Sequence, residues 1–173
     1  MPAKQPAPAD GLLPASIVAL AERVVAENIA AGRKVVLAES CTGGLVAGAI
    51  TEIAGSSRVL DSSFVTYSNE AKQGLLGVPE DIIETFGAVS VACAWAMAEG
   101  ALKRSEADVA VAISGIAGPD GGTAKKPVGM VVFARAVRGE EGTVDAEEKY
   151  FEANGRAAVR AQAVKVALEL LLP

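Results

Sequence analysis

The chain has 173 residues, 51% hydrophobic and 21% charged, a balance that excludes intrinsic disorder and supplies apolar surface for a substantial core. A net charge of −5 and an aromatic content of 4% argue against a general nucleic-acid binder, which needs basic surface and stacking platforms. With no histidine, acid–base chemistry must run on Lys, Asp, Glu or Tyr, and a metal site would need carboxylates and two thiols, so no metal and no cofactor are expected. The first 13 residues, rich in Ala and Pro, read as a flexible tail before one domain over residues 14–173. No secretory signal or membrane span is legible, because the apolar stretch from Ile17 to Leu20 meets Glu22 and Arg23 too soon. Cys41 and Cys93 form no Cys-x-x-Cys pair, and free thiols in a cytoplasmic protein are the expectation.

From Pro14 a helix is predicted, since Ile17, Leu20, Ala21, Val24, Val25 and Ile29 recur at threes and fours and Gly32 can end the run. Lys34 to Ala38 reads as a buried strand. Leu45 to Ile53 is a helix closed near Gly55, and Asp61 to Ser68 is a strand. Asn69 is placed as the cap of a short helix from Glu70 to Leu76, followed by a second short helix from Pro79 to Phe86. Ser90 caps a longer helix to about Arg104. Asp108 to Ile113 is a buried strand, Val128 to Val137 and Val144 to Phe151 are strands joined by a turn over Gly139 to Gly142, and a helix runs from Ala157 to Leu172. Alternating helices and strands predict an α/β fold, a three-layer α/β/α sandwich with a mixed, mostly parallel sheet. A homo-oligomer is expected; the Ala-rich stretch from Ala92 to Ala101 suits either a contact between copies or the core.

Two loops follow predicted buried strands, where open α/β sheets bind ligands. The first is Ser40-Cys41-Thr42-Gly43-Gly44. Ser40 is either a nucleophile or a helix cap, and as a nucleophile it needs a base other than histidine. Lys72 is the candidate base, with Tyr67 able to bond either partner; a lysine acts this way near neutral pH only when its pKa, ordinarily about 10.4, is depressed. The alternative for Lys72 is a solvated surface position. Cys41 is a rival nucleophile or a buried thiol, and Thr42 contacts a ligand or caps the helix. Gly43 and Gly44 let a ligand approach backbone N–H groups able to hold an oxyanion, or simply make the turn. The second loop, Ser114 to Gly122, has the small residues of a phosphate or ribose cradle but neither P-loop nor Rossmann spacing. Arg156 and Arg160 suit phosphate, with solvation the alternative for at least one.

Four motifs occur in order: Ala38-Glu39-Ser40-Cys41-Thr42-Gly43-Gly44, Val65-Thr66-Tyr67-Ser68-Asn69-Glu70-Ala71-Lys72, Gly87-Ala88-Val89-Ser90, and Ile113-Ser114-Gly115-Ile116-Ala117-Gly118-Pro119-Asp120-Gly121-Gly122. Together they resemble the C-terminal domain family of the competence/damage-inducible protein CinA, whose stand-alone members are nicotinamide-nucleotide amidohydrolases. The resemblance covers the chain from about Pro14 to its end. It implies a three-layer sandwich, no metal, and hydrolysis of the carboxamide of nicotinamide mononucleotide to nicotinate mononucleotide and ammonia in pyridine nucleotide salvage. It further implies Ser40 as nucleophile, Lys72 as base and Tyr67 beside them. Thr42, Gly43, Gly44, Ser114, Gly115, Gly118, Asp120 and Arg156 would contact the substrate, a small-molecule nucleotide. Many family members carry Gly-Asp-Arg before the last helix, where this chain has Asn154-Gly155-Arg156. Longer members carry an N-terminal domain linked to pyrophosphatase activity, which is not expected here. The rival readings are a nucleotide- or partner-binding module without turnover, and hydrolysis of a different amide by the same pair.

Overall fold

In the computed structural model, which describes residues 12–173, three uninterrupted apolar runs become the middle of a five-stranded sheet. The expected tail falls outside the described residues except for Leu12 and Leu13. The strands are β1 (Val35–Glu39), β2 (Leu60–Val65), β3 (Val109–Gly115), β4 (Met130–Val137) and β5 (Asp145–Tyr150). The helices are α1 (Ala15–Ala31), α2 (Leu45–Thr51), α3 (Asn69–Leu76), α4 (Glu80–Phe86), α5 (Val91–Lys103) and α6 (Arg156–Leu170), with a 3-10 turn at Ser56–Arg58 that periodicity did not indicate.

The sheet order is β2-β1-β3-β4-β5. β1 runs parallel to β2 and β3, and β4 runs antiparallel to both β3 and β5, so β4 alone opposes the other strands. The mixed α/β sheet is therefore as expected: the segment between β3 and β4 reverses the chain, and the hairpin at Gly139 to Gly142 turns it back into β5.

Period-two alternation sorts the core into two layers. Val35, Leu37, Val111, Ile113, Val131 and Phe133 face α1, α2 and α6. Val36, Ala38, Ala110, Ala112, Val132, Ala134 and Ala136 face α5, with Leu76 of α3 in the same cluster. This second face of the sheet is built largely from alanine, and α5 meets it with Ala94, Ala98 and Ala101, all fully buried. Small residues on both sides bring helix and sheet close. Of the Ala-rich stretch, these three are core, while Ala92 and Ala96 stay half-buried.

Local chemistry sets the element ends. Gly32 closes α1 at φ 63°, a left-handed conformation glycine adopts without Cβ strain. Ser90 caps α5 as expected by accepting from the Cys93 N–H. The cap of α3 is Ser68 rather than Asn69: Ser68 has extended backbone and accepts from the Ala71 N–H, while Asn69 is already helical. Pro79 precedes α4 as its cap residue instead of lying in its first turn.

α3 lies against α5 at one point of close approach. A Cβ on Gly100 would meet the Leu76 carbonyl oxygen at 2.1 Å. Gly100→Ala is accordingly expected to push α3 off α5 and to cost about 1–3 kcal/mol, read from urea unfolding. Gly48→Ala, at an exposed helical position where an added Cβ would meet nothing within 4 Å, should be neutral or stabilising.

Candidate active site

β1, β2 and β3 are parallel, so their carboxyl ends open along one edge and the segments leaving them meet there. The pairing persists one step past β1: the Ser40 N–H donates to the Ile113 carbonyl at 2.9 Å, and the Thr66 N–H donates to the Glu39 carbonyl at 2.8 Å. Alternation then sends Glu39 and Ser40 to opposite faces. Glu39 follows Leu37 toward α2, and Ser40 follows Ala38 toward α3 and α5.

On Ser40's face, α3 supplies Lys72. Its side chain is 1% exposed and Ser40 is 8% exposed. The Lys72 Nζ lies 3.1 Å from Ser40 Oγ, 2.8 Å from the Thr66 carbonyl oxygen and 3.3 Å from the Tyr67 carbonyl oxygen. No carboxylate pairs with it among the described residues. Burial pushes the Lys72 pKa below the ordinary lysine value, against a smaller upward pull from the Cys93 and Cys41 thiols. A neutral amine has two N–H groups and one lone pair. The two carbonyls match the two N–H groups, which leaves the lone pair for the Ser40 O–H. That is the arrangement of a general base beside a hydroxyl nucleophile.

On the opposite face, Glu39 is fully buried. Its Oε2 accepts from the N–H groups of Gly44 at 3.0 Å and Val46 at 3.2 Å, and its Oε1 accepts from Ala47 at 3.0 Å. Ser63 Oγ donates to Oε1 at a longer 3.4 Å. The start of α2 is thus capped by the residue before Ser40, and Ser40 is not the cap. Gly44, at φ 94°, gives the bend that presents these amides to the carboxylate. The helix start is occupied, and an anionic ligand has no place there.

The backbone donors of the loop are accordingly redistributed. The Gly43 N–H donates to the Ser40 carbonyl, and the Gly44 N–H is held by Glu39. Among the described residues, the N–H groups of Cys41 and Thr42 have no protein acceptor. Those two, rather than the glycine amides, are the open donors next to Ser40. The Cys41 thiol is buried, and desolvation pushes its pKa up to about 11, so it stays protonated near neutral pH and is a poor rival to Ser40. Both cysteines are free.

A cavity of about 210 Å³ opens beside Ser40, lined by Cys41, Tyr67, Asn69, Lys72, Ala88, Val89, Ser114, Gly115, Ala117 and Arg156 as well. Ser40, Lys72, Tyr67, Ser114, Gly115 and Arg156 are thus brought together. The Thr42 side chain is fully buried away from the cavity, with its Oγ1 unpartnered, and Gly43, Gly44, Gly118 and Asp120 do not line it. Gly118 contributes indirectly: its carbonyl accepts from Arg156 Nη1 at 2.8 Å, while Arg156 Nη2 donates to the Tyr67 hydroxyl at 2.7 Å. Arg160 donates to the carbonyls of Cys41 at 3.0 Å and Thr42 at 3.2 Å, so it braces the loop instead of facing a ligand.

Sequence reasoning missed Glu39 and Asn69 as site residues. An acidic residue closing a buried strand, one position before a helix-start loop, was the available signal for Glu39. Asn69 reads from the sequence as a cap, and the neighbouring Ser68 takes that role.

Residues 17–173 match the CinA C-terminal domain family, and the chain belongs to it. A competence-damage inducible protein of Symbiobacterium thermophilum is 62% identical over 120 residues, 69% of this chain and 28% of that protein. The nicotinamide-nucleotide amidohydrolase PncC of Enterobacter agglomerans is 54% identical over 143 residues, 83% of this chain and 85% of that enzyme. The chain therefore spans little more than a quarter of the first relative's length and most of the second's. The crystal structure of the competence/damage inducible protein CihA from Agrobacterium tumefaciens superposes with a TM-score of 0.89 at 51% identity, covering 94% of this chain and 97% of that one.

Two outcomes follow from this geometry. Glu39→Ala should cost at least about 2 kcal/mol in chemical denaturation, because three amides lose a charged acceptor, whereas Ser63→Ala should stay within about 0.5 kcal/mol. For Lys72, the unfolded chain keeps its proton up to the ordinary value near 10.4, while the folded chain releases it at lower pH. In that window the unfolded state binds more protons, so stability rises with pH. Relative to Lys72→Met, the native chain should gain stability as pH rises toward the ordinary lysine value near 10.4, a trend that urea titrations at each pH would show.

Proposed function

We propose that this chain hydrolyses the carboxamide of nicotinamide mononucleotide to nicotinate mononucleotide and ammonia, by a Ser40–Lys72 mechanism that serves pyridine nucleotide salvage. The observation that carries the reading is the 3.1 Å contact between Ser40 Oγ and a buried Lys72 Nζ that has two carbonyl acceptors and no carboxylate. The extent of the likeness to an amidohydrolase supports the choice of substrate: 54% identity over 83% of this chain and 85% of the enzyme.

In this reading neutral Lys72 takes the Ser40 proton as Ser40 Oγ attacks the carboxamide carbon. The carbonyl oxygen becomes an oxyanion and is held by the Cys41 and Thr42 N–H groups. Lys72 then passes the proton to the amide nitrogen, the carbon–nitrogen bond breaks, and ammonia leaves. The remaining ester of Ser40 is cleaved by water, whose proton goes to Lys72 and then to the departing Ser40 oxygen. Two facts of the site favour this order. Burial lowers the Lys72 pKa and so favours its neutral form, and its Nζ lies 3.1 Å from Ser40 Oγ.

At about 210 Å³ the cavity is below the ~300–1,000 Å³ of typical small-molecule sites, so it takes the reacting end of the ligand. The ribose and phosphate then lie across the mouth, where Arg156 and the exposed Tyr67 form the rim.

Purified Ser40→Ala protein is expected to release no ammonia from the mononucleotide, and Lys72→Met to lose about 10²-fold to 10⁴-fold in kcat. The native pH–rate profile should rise to a plateau with an apparent pKa below the ordinary lysine value, since the neutral amine is the active form. Ligand binding by the native chain without ammonia release would instead mark a binding module, and a flat pH profile would remove Lys72 as base.

A further inference from the structure

The hydrogen-bond capacity of the cavity is unevenly divided, and Ser114 is the reason. Ser114 Oγ lies 2.7 Å from the Ala88 carbonyl oxygen. A carbonyl oxygen only accepts, so the single Ser114 hydroxyl proton is committed to Ala88. What Ser114 has left are oxygen lone pairs. Ser114 is 1% exposed and lines the cavity. It is also the lateral neighbour of Ser40: Glu39 pairs with Ile113 and the Ser40 N–H bonds the Ile113 carbonyl, so both serines project from the same face of the sheet.

Several other groups around the reacting position are donors, and the exposed Asn69 amide can both donate and accept. The Cys41 and Thr42 N–H groups are open. The Tyr67 hydroxyl accepts from Arg156 Nη2 at 2.7 Å, and a guanidinium cannot accept in return, so the phenolic proton remains available. A primary carboxamide complements this set: its oxygen accepts from the open donors, and its NH₂ group needs an acceptor. A carboxylate has no N–H to offer and would set an anionic oxygen against the lone pairs of Ser114.

We infer that Ser114 is the specificity-determining residue that admits an uncharged primary amide and disfavours the corresponding carboxylate, because its own proton is spent on Ala88. The inference rests on the hydrolase reading above for the identity of the two ligands. Under it, the same contact that orients the NH₂ group for departure weakens the hold on the acid once ammonia has left. A site built around an N–H contact rejects analogues that lack it, because the buried acceptor is left unpaired.

The test separates binding preference from turnover. In a Ser40→Ala background, which consumes neither ligand, calorimetry would compare nicotinamide mononucleotide with nicotinate mononucleotide. The measurement would be made for Ser114, Ser114→Ala and Ser114→Thr. The amide is expected to bind at least about tenfold more tightly with Ser114 and with the threonine, which keeps the hydroxyl. That preference should fall toward unity with the alanine. Should Ser114→Ala not fold, Ser114→Cys keeps the volume with a much weaker acceptor and is expected to lower the preference likewise. An unchanged preference in Ser114→Ala overturns the inference, as does equal weakening of both ligands, which would reduce Ser114 to a strut for the 86–90 segment. Absence of binding by either ligand overturns it as well. Ammonia release is measured on the chain with Ser40 intact: failure there, with the preference intact, sinks the hydrolase reading and leaves the selectivity standing.

Discussion

An amine buried without a countercharge is an expensive group, and the site is arranged around the need to keep one. Taking an ammonium out of water costs several kcal/mol unless it is paired, so a buried lysine lowers that cost by giving up its proton. Burial favours the neutral form of Lys72, and in that form its two N–H groups go to the backbone carbonyls of Thr66 and Tyr67. The remaining lone pair falls to Ser40. Position follows from packing. α3 is held on α5 at the Leu76–Gly100 approach, and α5 in turn lies on an alanine-lined sheet face. The small residues of that face thus set the contact between Lys72 and Ser40, because bulk there would lift Lys72 away.

Strand alternation explains why two adjacent residues have separate tasks. Glu39 and Ser40 sit side by side at the end of β1 and point to opposite layers. Glu39 takes the α2 amides and Arg160 takes the Cys41 and Thr42 carbonyls, so the loop is held from one side by an acceptor and from the other by a donor. What stays open, the Cys41 and Thr42 N–H groups, is what these contacts leave unused. A loop fixed in this way holds its open donors in place. With the α2 amides taken by Glu39, the cation that faces the cavity is Arg156 and not the helix start.

The four sequence motifs draw their unity from this edge of the sheet. The loop after β1, the segment from β2 into α3, the Gly87 to Ser90 turn and the end of β3 are far apart in the chain. They converge because β1 lies between β2 and β3 and all three are parallel. Ser114 joins two of these segments directly through its bond to Ala88. Among the described residues no helix is long and apolar enough to cross a membrane.

Much of the architecture was legible because it is local information. Hydrophobic runs, three-and-four spacing, and turn residues such as Gly32, Ser90 and the Gly139 to Gly142 segment placed the helices and strands, with ends shifting by a few residues where caps compete, as at Ser68 and Asn69. The motif residues Ser40, Lys72, Tyr67, Ser114 and Arg156 were also legible as chemistry-bearing positions, and they line one cavity. The sequence could not tell an exposed lysine from a buried one, a helix cap from a serine held against that lysine, or a glycine amide that is open from one already bonded. Those distinctions depend on partners distant in the chain, such as Ser40 and Lys72, 32 residues apart, or Arg160 and Cys41, 119 apart. Strand order brings such partners together, and burial then sets their protonation, so only the tertiary structure decided them.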